Sequence, residues 1–231
     1  MQPPTAPISG ATDTPAGTFS IVAADPGTGE VGCAVQSKYF AIGAVTPWVR
    51  AGVGAVATQA MGVVARNGER ALAAIAAGAD PAEALAHALG ADADPELRQL
   101  GAVTADGRAA AHTGGGCIEW AGHLVQPGFA VQGNMLANAD VLPAMRRAFL
   151  DTGAPLPERM LAALEAGQAA GGDRRGQQSA AVILEQLGAA KRYSEGIDRT
   201  CDLRVDDNPE PIVELRRLLT LWRQRQAERQ L

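Results

Sequence analysis

Two short runs, TFSIVAA at residues 18–24 and VGCAVQS at residues 31–37, meet across Asp25-Pro26-Gly27-Thr28-Gly29, and this arrangement restricts the fold most. β-Branched and aromatic residues on either side of a Pro-Gly turn predict two strands joined by a hairpin. A turn this tight permits only antiparallel pairing, since parallel neighbours need a long crossover. A doubly wound parallel sheet does not suit such a start.

The rest of the chain repeats the alternation of hairpins and helices. A Gly/Ala/Val-rich run at residues 41–60 suits buried strands and tight loops. Val64, Leu72, Ile75 and Ala76 then recur at helical spacing, with Gly78 as the stop. Asp80-Pro81 predicts a second helix through Leu89, with Asp80 as N-cap and Pro81 at the first position. Asp94-Pro95-Glu96 repeats that signature for a short helical turn. Strands are expected at residues 100–104 and 108–113, joined through Asp106-Gly107. Further strands are expected at 129–132, 178–184 and 200–205, and further helices at 142–150, 157–169 and 210–229. Ile212, Leu215, Leu219 and Trp222 form one stripe of that last helix, fitting either the core or a dimer seam. The pattern suits an α+β class in which antiparallel sheets carry helices on their outer faces.

Hydrophobic residues make up 47% of the chain but aromatics only 4%, so the core is expected to be built from Ala, Val, Leu and Ile. The formal charge of −5 and the lack of a long basic run argue against a nucleic-acid partner. No apolar stretch is long and unbroken enough to span a bilayer. Cys33, Cys117 and Cys201 are odd in number and widely spaced, which reads as reduced thiols in a cytoplasmic protein. The opening MQPPTAPISGATDTPAG (residues 1–17) has neither the apolar nor the basic region of a signal peptide, and its composition reads as a disordered leader. Residues 18–231 contain no linker and read as one domain.

Thr18 stands where that leader meets the first strand. Removal of the leader would make its hydroxyl a nucleophile with its own α-amine as base. An α-amine titrates at about 7.7–8 in peptides, which suits a general base. Lys38, just after the second strand, could keep that amine neutral by like-charge repulsion. A plain strand-starting Thr after a flexible Gly is the simpler account of the local sequence. Gln132-Gly133-Asn134 closes a predicted strand ahead of a helix, and the Gly133 and Asn134 amides fit an oxyanion hole. An ordinary strand-to-helix connection is the simpler account.

The loop Gly171-Gly172-Asp173-Arg174-Arg175-Gly176 fits a carboxylate clamp through Arg174, with Asp173 holding an amine or orienting an Arg. A structural ion pair fits as well. His112 is a further candidate to contact substrate. His112, Cys117 and His123 have irregular spacing and no evident fourth ligand, so no metal is expected. Cys117 follows the turn at residues 114–116 and is a minor candidate nucleophile, as is Ser20. Asp206-Asp207 reads as charge near the cap of the final helix.

The ordered set TFSIVA, AVQSKYFAIGAV, GVGAVATQA, AHTGGGCIEWAGH, VQGNML, GGDRRGQQSAA and DLRVDDNPEPIVELRRL resembles the domain-of-unknown-function family 1028, a branch of the N-terminal-nucleophile (Ntn) hydrolase superfamily. The likeness runs from Thr18 to about Leu219. It implies a four-layered αββα sandwich of two face-to-face antiparallel sheets with helices outside. It also implies amide-cleaving relatives such as proteasome subunits, asparaginase-type amidases and γ-glutamyl transferases. Thr18 falls at the place of their nucleophile and Lys38 near their polarising lysine.

Two functions are therefore expected to compete. One is an amidohydrolase acting on a small amide or peptide-like substrate through Thr18, without metal or organic cofactor. The other is a non-catalytic small-molecule binder or homo-oligomeric scaffold of the same fold. A free Thr18 amine facing Gly133, Asn134 and Arg174 separates the two.

Overall fold

The computed structural model describes residues 17–61, 64–189 and 198–228 of the 231. The expected leader therefore lies outside the described residues, apart from Gly17. The order of elements is β1 (Thr18–Asp25), β2 (Glu30–Ser37), β3 (Pro47–Arg50), β4 (Gly54–Ala60), α1 (Ala65–Ala76), α2 (Pro81–Gly90), β5 (Arg98–Thr104) and β6 (Ala109–Thr113). It continues with β7 (Gly122–Gln126), β8 (Phe129–Asn134), α3 (Val141–Asp151), α4 (Leu156–Ala169), β9 (Ser179–Gln186), β10 (Arg199–Val205) and α5 (Pro211–Glu228). Single 3₁₀ turns at Ile42–Ala44 and Pro95–Leu97 complete the order.

The fold is mixed α+β, with two antiparallel sheets and five α-helices among the described residues. The six-stranded sheet runs β10-β9-β2-β1-β8-β7 and the four-stranded sheet β3-β4-β5-β6. The opening hairpin pairs Thr18 with Ser37 and Asp25 with Glu30. Its turn is closed by the Asp25 side chain, which accepts from the Gly27 amide at 2.9 Å. Asp80 caps α2 as expected, in a reciprocal box with Glu83.

Alternation along β1 shows how the packing is divided. Phe19, Ile21 and Ala23 point into a core shared with Leu142, Met145 and Phe149 of α3 and Met160, Leu161 and Leu164 of α4. Ile212, Leu215 and Leu219 of α5 join the same core, so the stripe of the last helix is interior packing. Val22 and Ala24 face the other way, into a cluster with Ala55, Ala57, Val103 and Ala130 that joins the two sheets. A third core sets Leu72 and Ile75 of α1 and Leu85 and Leu89 of α2 against Val56, Leu100 and Ala102 of the smaller sheet.

The scarcity of aromatics thus has a location. Three phenylalanines lie under the helices, while the apolar cluster that joins the two sheets is made of small and β-branched residues. Side chains of that size let two sheets approach closely.

Two elements differ from the sequence reading. The strand β7 was not expected, although Pro127-Gly128 before β8 is a turn signal, and Gly128 adopts a φ of 89° there. β8 runs on through Gly133 and Asn134 rather than ending before them, because both residues are paired with β1.

Candidate active site

Thr18 opens β1 with neighbours on both sides, Ser37 of β2 and Asn134 of β8. It lies on the face of β1 that looks toward the smaller sheet, two residues before Ser20 and four before Val22, and it is fully buried. Its hydroxyl donates to Ser37 Oγ at 3.1 Å. The Ser37 hydroxyl in turn donates to the carbonyl oxygen of Gly17 at 2.5 Å. A second donor reaches the same oxygen: Arg175 Nη2, at 2.8 Å. The carbonyl of the Gly17–Thr18 peptide bond is therefore gripped by a hydroxyl and a guanidinium, next to the Thr18 hydroxyl.

Arg175 is fixed in turn. Its Nε and Nη2 meet Asp173 Oδ1 and Oδ2 at 3.1 and 2.7 Å, the two-point fork that matches guanidinium to carboxylate. Asp173 is itself 2% exposed, and its oxygens also accept from the Arg175 and Lys38 backbone amides at 2.9 and 3.0 Å. Four such donors offset the cost of burying the carboxylate, which holds the cation in one orientation.

The other expected site residues separate into near and far. The Lys38 backbone belongs to the cluster, but its ammonium is on the exposed side and donates to the Gln177 carbonyl at 3.2 Å. Arg174 is exposed, while its amide bonds to the Met135 carbonyl at 3.0 Å. Gly133 lies inside β8, paired to Phe19 on one side and Gly122 on the other. Asn134 stands beside Thr18 and its Nδ2 donates to Gln99 Oε1 at 2.9 Å. His112 pairs with Leu100 in register and shares its helix-facing side, lining a recess of about 160 Å³ against α2. It is on the opposite face of the small sheet from the residues that look toward Thr18.

Beyond Thr18 the inward faces of both sheets carry a continuous polar seam. Ser20 donates to Gln59 Oε1 and accepts from Gln132 Nε2, both at 2.6 Å. Gln59 Nε2 donates to Gln99 Oε1 at 2.8 Å. Gln99 Nε2 meets Thr113 Oγ1, the Gly122 carbonyl and the Gly133 carbonyl at 2.9, 3.0 and 2.8 Å. Thr113 Oγ1 also lies 2.8 Å from His123 Nδ1. Burial, and then the neighbouring charge of His112, push the His123 pKa down and favour its neutral form. Ser20, Gln59, Gln99 and Gln132 are each fully buried, so these bonds offset the cost of dehydrating their polar groups.

Ser37, Gln59 and Gln99 were not singled out in the sequence, and Arg175 and Gln132 only as members of the loop at 171–176 and the motif at 132–134. The glutamines carried a legible signal, since each is a long polar residue at a fully buried position of a strand rich in Gly, Ala and Val. Cys117 is almost buried, with its sulfur 3.4 Å from the Arg98 carbonyl, and burial raises its pKa. The Asp206-Asp207 pair precedes α5, where Asp207 accepts from Gln178 and Asn208 caps the Glu210 amide. Among the described residues no group of three or more His, Cys, Asp or Glu is placed to hold a metal ion, and no helix is long and apolar enough to cross a membrane.

Fold and site together define an α+β protein with two antiparallel sheets and a buried threonine-centred polar cluster between them. The chain belongs to the family of unknown function DUF1028, whose model matches residues 18–215 and so opens on Thr18. It is similar to the crystal structure of protein SPO2555 from Silicibacter pomeroyi, a member of the same family, with 31% identity over 88% of each chain and a TM-score of 0.79. No curated protein matches the chain.

Proposed function

We propose that this protein is an amidohydrolase that cleaves a small amide or peptide-like substrate with Thr18 as an N-terminal nucleophile, unmasked by cleavage of the Gly17–Thr18 bond. The observation that carries this reading is the Gly17 carbonyl, held by Ser37 Oγ and Arg175 Nη2 beside the Thr18 hydroxyl. Donors aimed at a carbonyl oxygen stabilise the negative charge that develops there when a nucleophile attacks. The chain itself thus offers its own amide to its own hydroxyl.

Once Thr18 is the first residue, its α-amine takes the hydroxyl proton as base. Arg175 is better placed than the Lys38 ammonium to disfavour protonation of that amine. The oxygen it contacts and the Thr18 nitrogen belong to one peptide unit, whereas Lys38 Nζ is engaged by Gln177. Asn134 supplies a polar side chain on the neighbouring strand, and Gly133 a backbone beside it; Arg174, exposed at the surface side, would meet a substrate carboxylate.

The fold proposed for this chemistry is the four-layered αββα sandwich of the Ntn hydrolase-like class, formed as one domain from Thr18 onward. Its support is the placing of the three larger cores, one between the sheets and one under each set of helices. A cytoplasmic setting is proposed from the three free, buried cysteines.

The test is the intact mass and N-terminal sequence of the purified chain, beside a Thr18→Ala variant. A chain that begins at Thr18, with the variant uncut, supports the enzyme and justifies trapping an acyl adduct from small amides. Retention of Gly17 in both proteins would instead favour a binding or scaffold protein.

A further inference from the structure

We infer that the acyl half of the substrate is a glycyl group, so that the enzyme cleaves amides of the form X-Gly-NH-R. The inference rests on the reading of Thr18 as nucleophile and adds the substrate class to it. In self-cleavage the hydroxyl attacks the Gly17 carbonyl carbon; in turnover it attacks the substrate's. Both acyl groups end as esters on the same oxygen, so Gly17 marks the space that the substrate's acyl residue must enter.

That space has no room for a side chain. A Cβ added to Gly17 would stand 2.7 Å from Met135 Cβ, 2.8 Å from Asp173 Oδ1 and 3.0 Å from Asp173 Cγ. Neither neighbour can yield cheaply. Met135 Cβ is fixed by a backbone at φ 52°, in the left-handed region, with its amide bonded to the Ile118 carbonyl and its carbonyl to the Arg174 amide. The Asp173 carboxylate is held by the Arg175 fork and the Lys38 amide. A donor that selects the carbonyl, Arg175, and a wall that excludes a Cβ, Asp173, are thus locked together as one ion pair.

The reaction balances as a hydrolysis. Thr18 Oγ bonds to the glycyl carbonyl carbon and passes its proton to the α-amine. The C–N bond then breaks and the leaving amine takes that proton. Water cleaves the ester, releasing X-Gly as the carboxylic acid and restoring the hydroxyl.

The purified chain, with its first residue read by intact mass, is treated in parallel with the p-nitrophenyl esters of N-acetylglycine and N-acetyl-L-alanine. Nitrophenol release is followed, and acyl adducts are mapped by peptide mass. The glycine ester is expected to acylate Thr18 about tenfold to a hundredfold faster, the rate equivalent of a typical overpacking cost. Met135→Gly removes one wall and suits the positive φ, so it is expected to narrow that ratio by accelerating the alanine ester. Equal acylation of Thr18 by both esters, or a ratio unmoved by Met135→Gly, overturns the glycyl inference and leaves the nucleophile standing. Acylation of Thr18 by neither ester overturns the nucleophile, and the inference with it.

Discussion

Arg175 joins two residues that are far apart in sequence: one nitrogen of its guanidinium, Nη2, lies 2.7 Å from Asp173 Oδ2 and 2.8 Å from the Gly17 carbonyl oxygen. The acid fixes the cation and the cation addresses the carbonyl. Removing Arg175 should therefore act on the proposed cleavage of the Gly17–Thr18 bond. Arg175→Ala is expected to slow it by about a hundredfold to a thousandfold, the usual loss of an oxyanion donor. Arg175→Lys keeps the charge but not the fork, and should recover only part of the rate. An intact-mass time course on freshly made protein measures both.

Gln99 is the node of the polar seam, donating through Nε2 to Thr113, Gly122 and Gly133 and accepting from Gln59 and Asn134. Gln99→Leu fills similar volume but leaves those buried groups without partners. A loss of roughly 2–4 kcal/mol of stability is expected, more than one exposed hydrogen bond would account for. Urea unfolding of the variant against the parent chain gives the value.

Asp92 lies in a mostly buried pair with Arg98, whose Nε is 2.9 Å away. The Arg98 hydrogen bond, aided by the Asp94 amide and the Asn67 side chain, brings the Asp92 pKa down to about 2 from 3.8. A depressed folded-state pKa stabilises the fold above the unfolded value, and this contribution fades as pH falls from about 4 through about 2. It amounts to something on the order of 2 kcal/mol. Asp92→Asn should therefore be less stable than the parent at pH 6, and the gap between them should close on acidification. Melting temperatures across that range measure the gap.

Cys33, Cys117 and Cys201 all have thiol pKa values raised by burial, Cys201 to about 12. Few thiolates form at neutral pH, so iodoacetamide should label the folded chain slowly and all three sites rapidly in denaturant. Cys117→Ala is expected to leave amide hydrolysis unchanged. Loss of activity in that variant would transfer the nucleophile's role from Thr18 to Cys117.

Much of the fold was legible because it rests on local rules. The Asp25–Gly29 turn, the Asp80-Pro81 cap and the Asp106-Gly107 turn each set an element through residues a few positions apart. β7 was missed because GHLVQ is short and half-exposed, and its place depends on β8 beside it. Thr18 was legible as a position, at the boundary of leader and strand. Its surroundings were not, since Ser37, Gln59 and Arg175 reach Thr18 and the Gly17 carbonyl before it only through strand register and loop return. Between the adjacent arginines, sequence favoured Arg174 for the clamp. The tertiary turn instead sends Arg174 outward and sets Arg175 on Asp173. Gly101 makes the same point: a Cβ there would meet the Gln132 amide at 2.2 Å, a restriction set by the facing sheet and invisible along the strand.

β1 is an interior strand, bordered by β2 and β8 along nearly its whole length. Chain ends ordinarily fray, and a reactive group placed on one would wander through many orientations before meeting its target. An end created by cutting before Thr18 would behave differently. It would be clamped from its first residue by Ser37 on one flank and Asn134 on the other, with little freedom left to lose on the way to reaction. Severing the chain here would produce a terminus already as well ordered as the middle of a sheet.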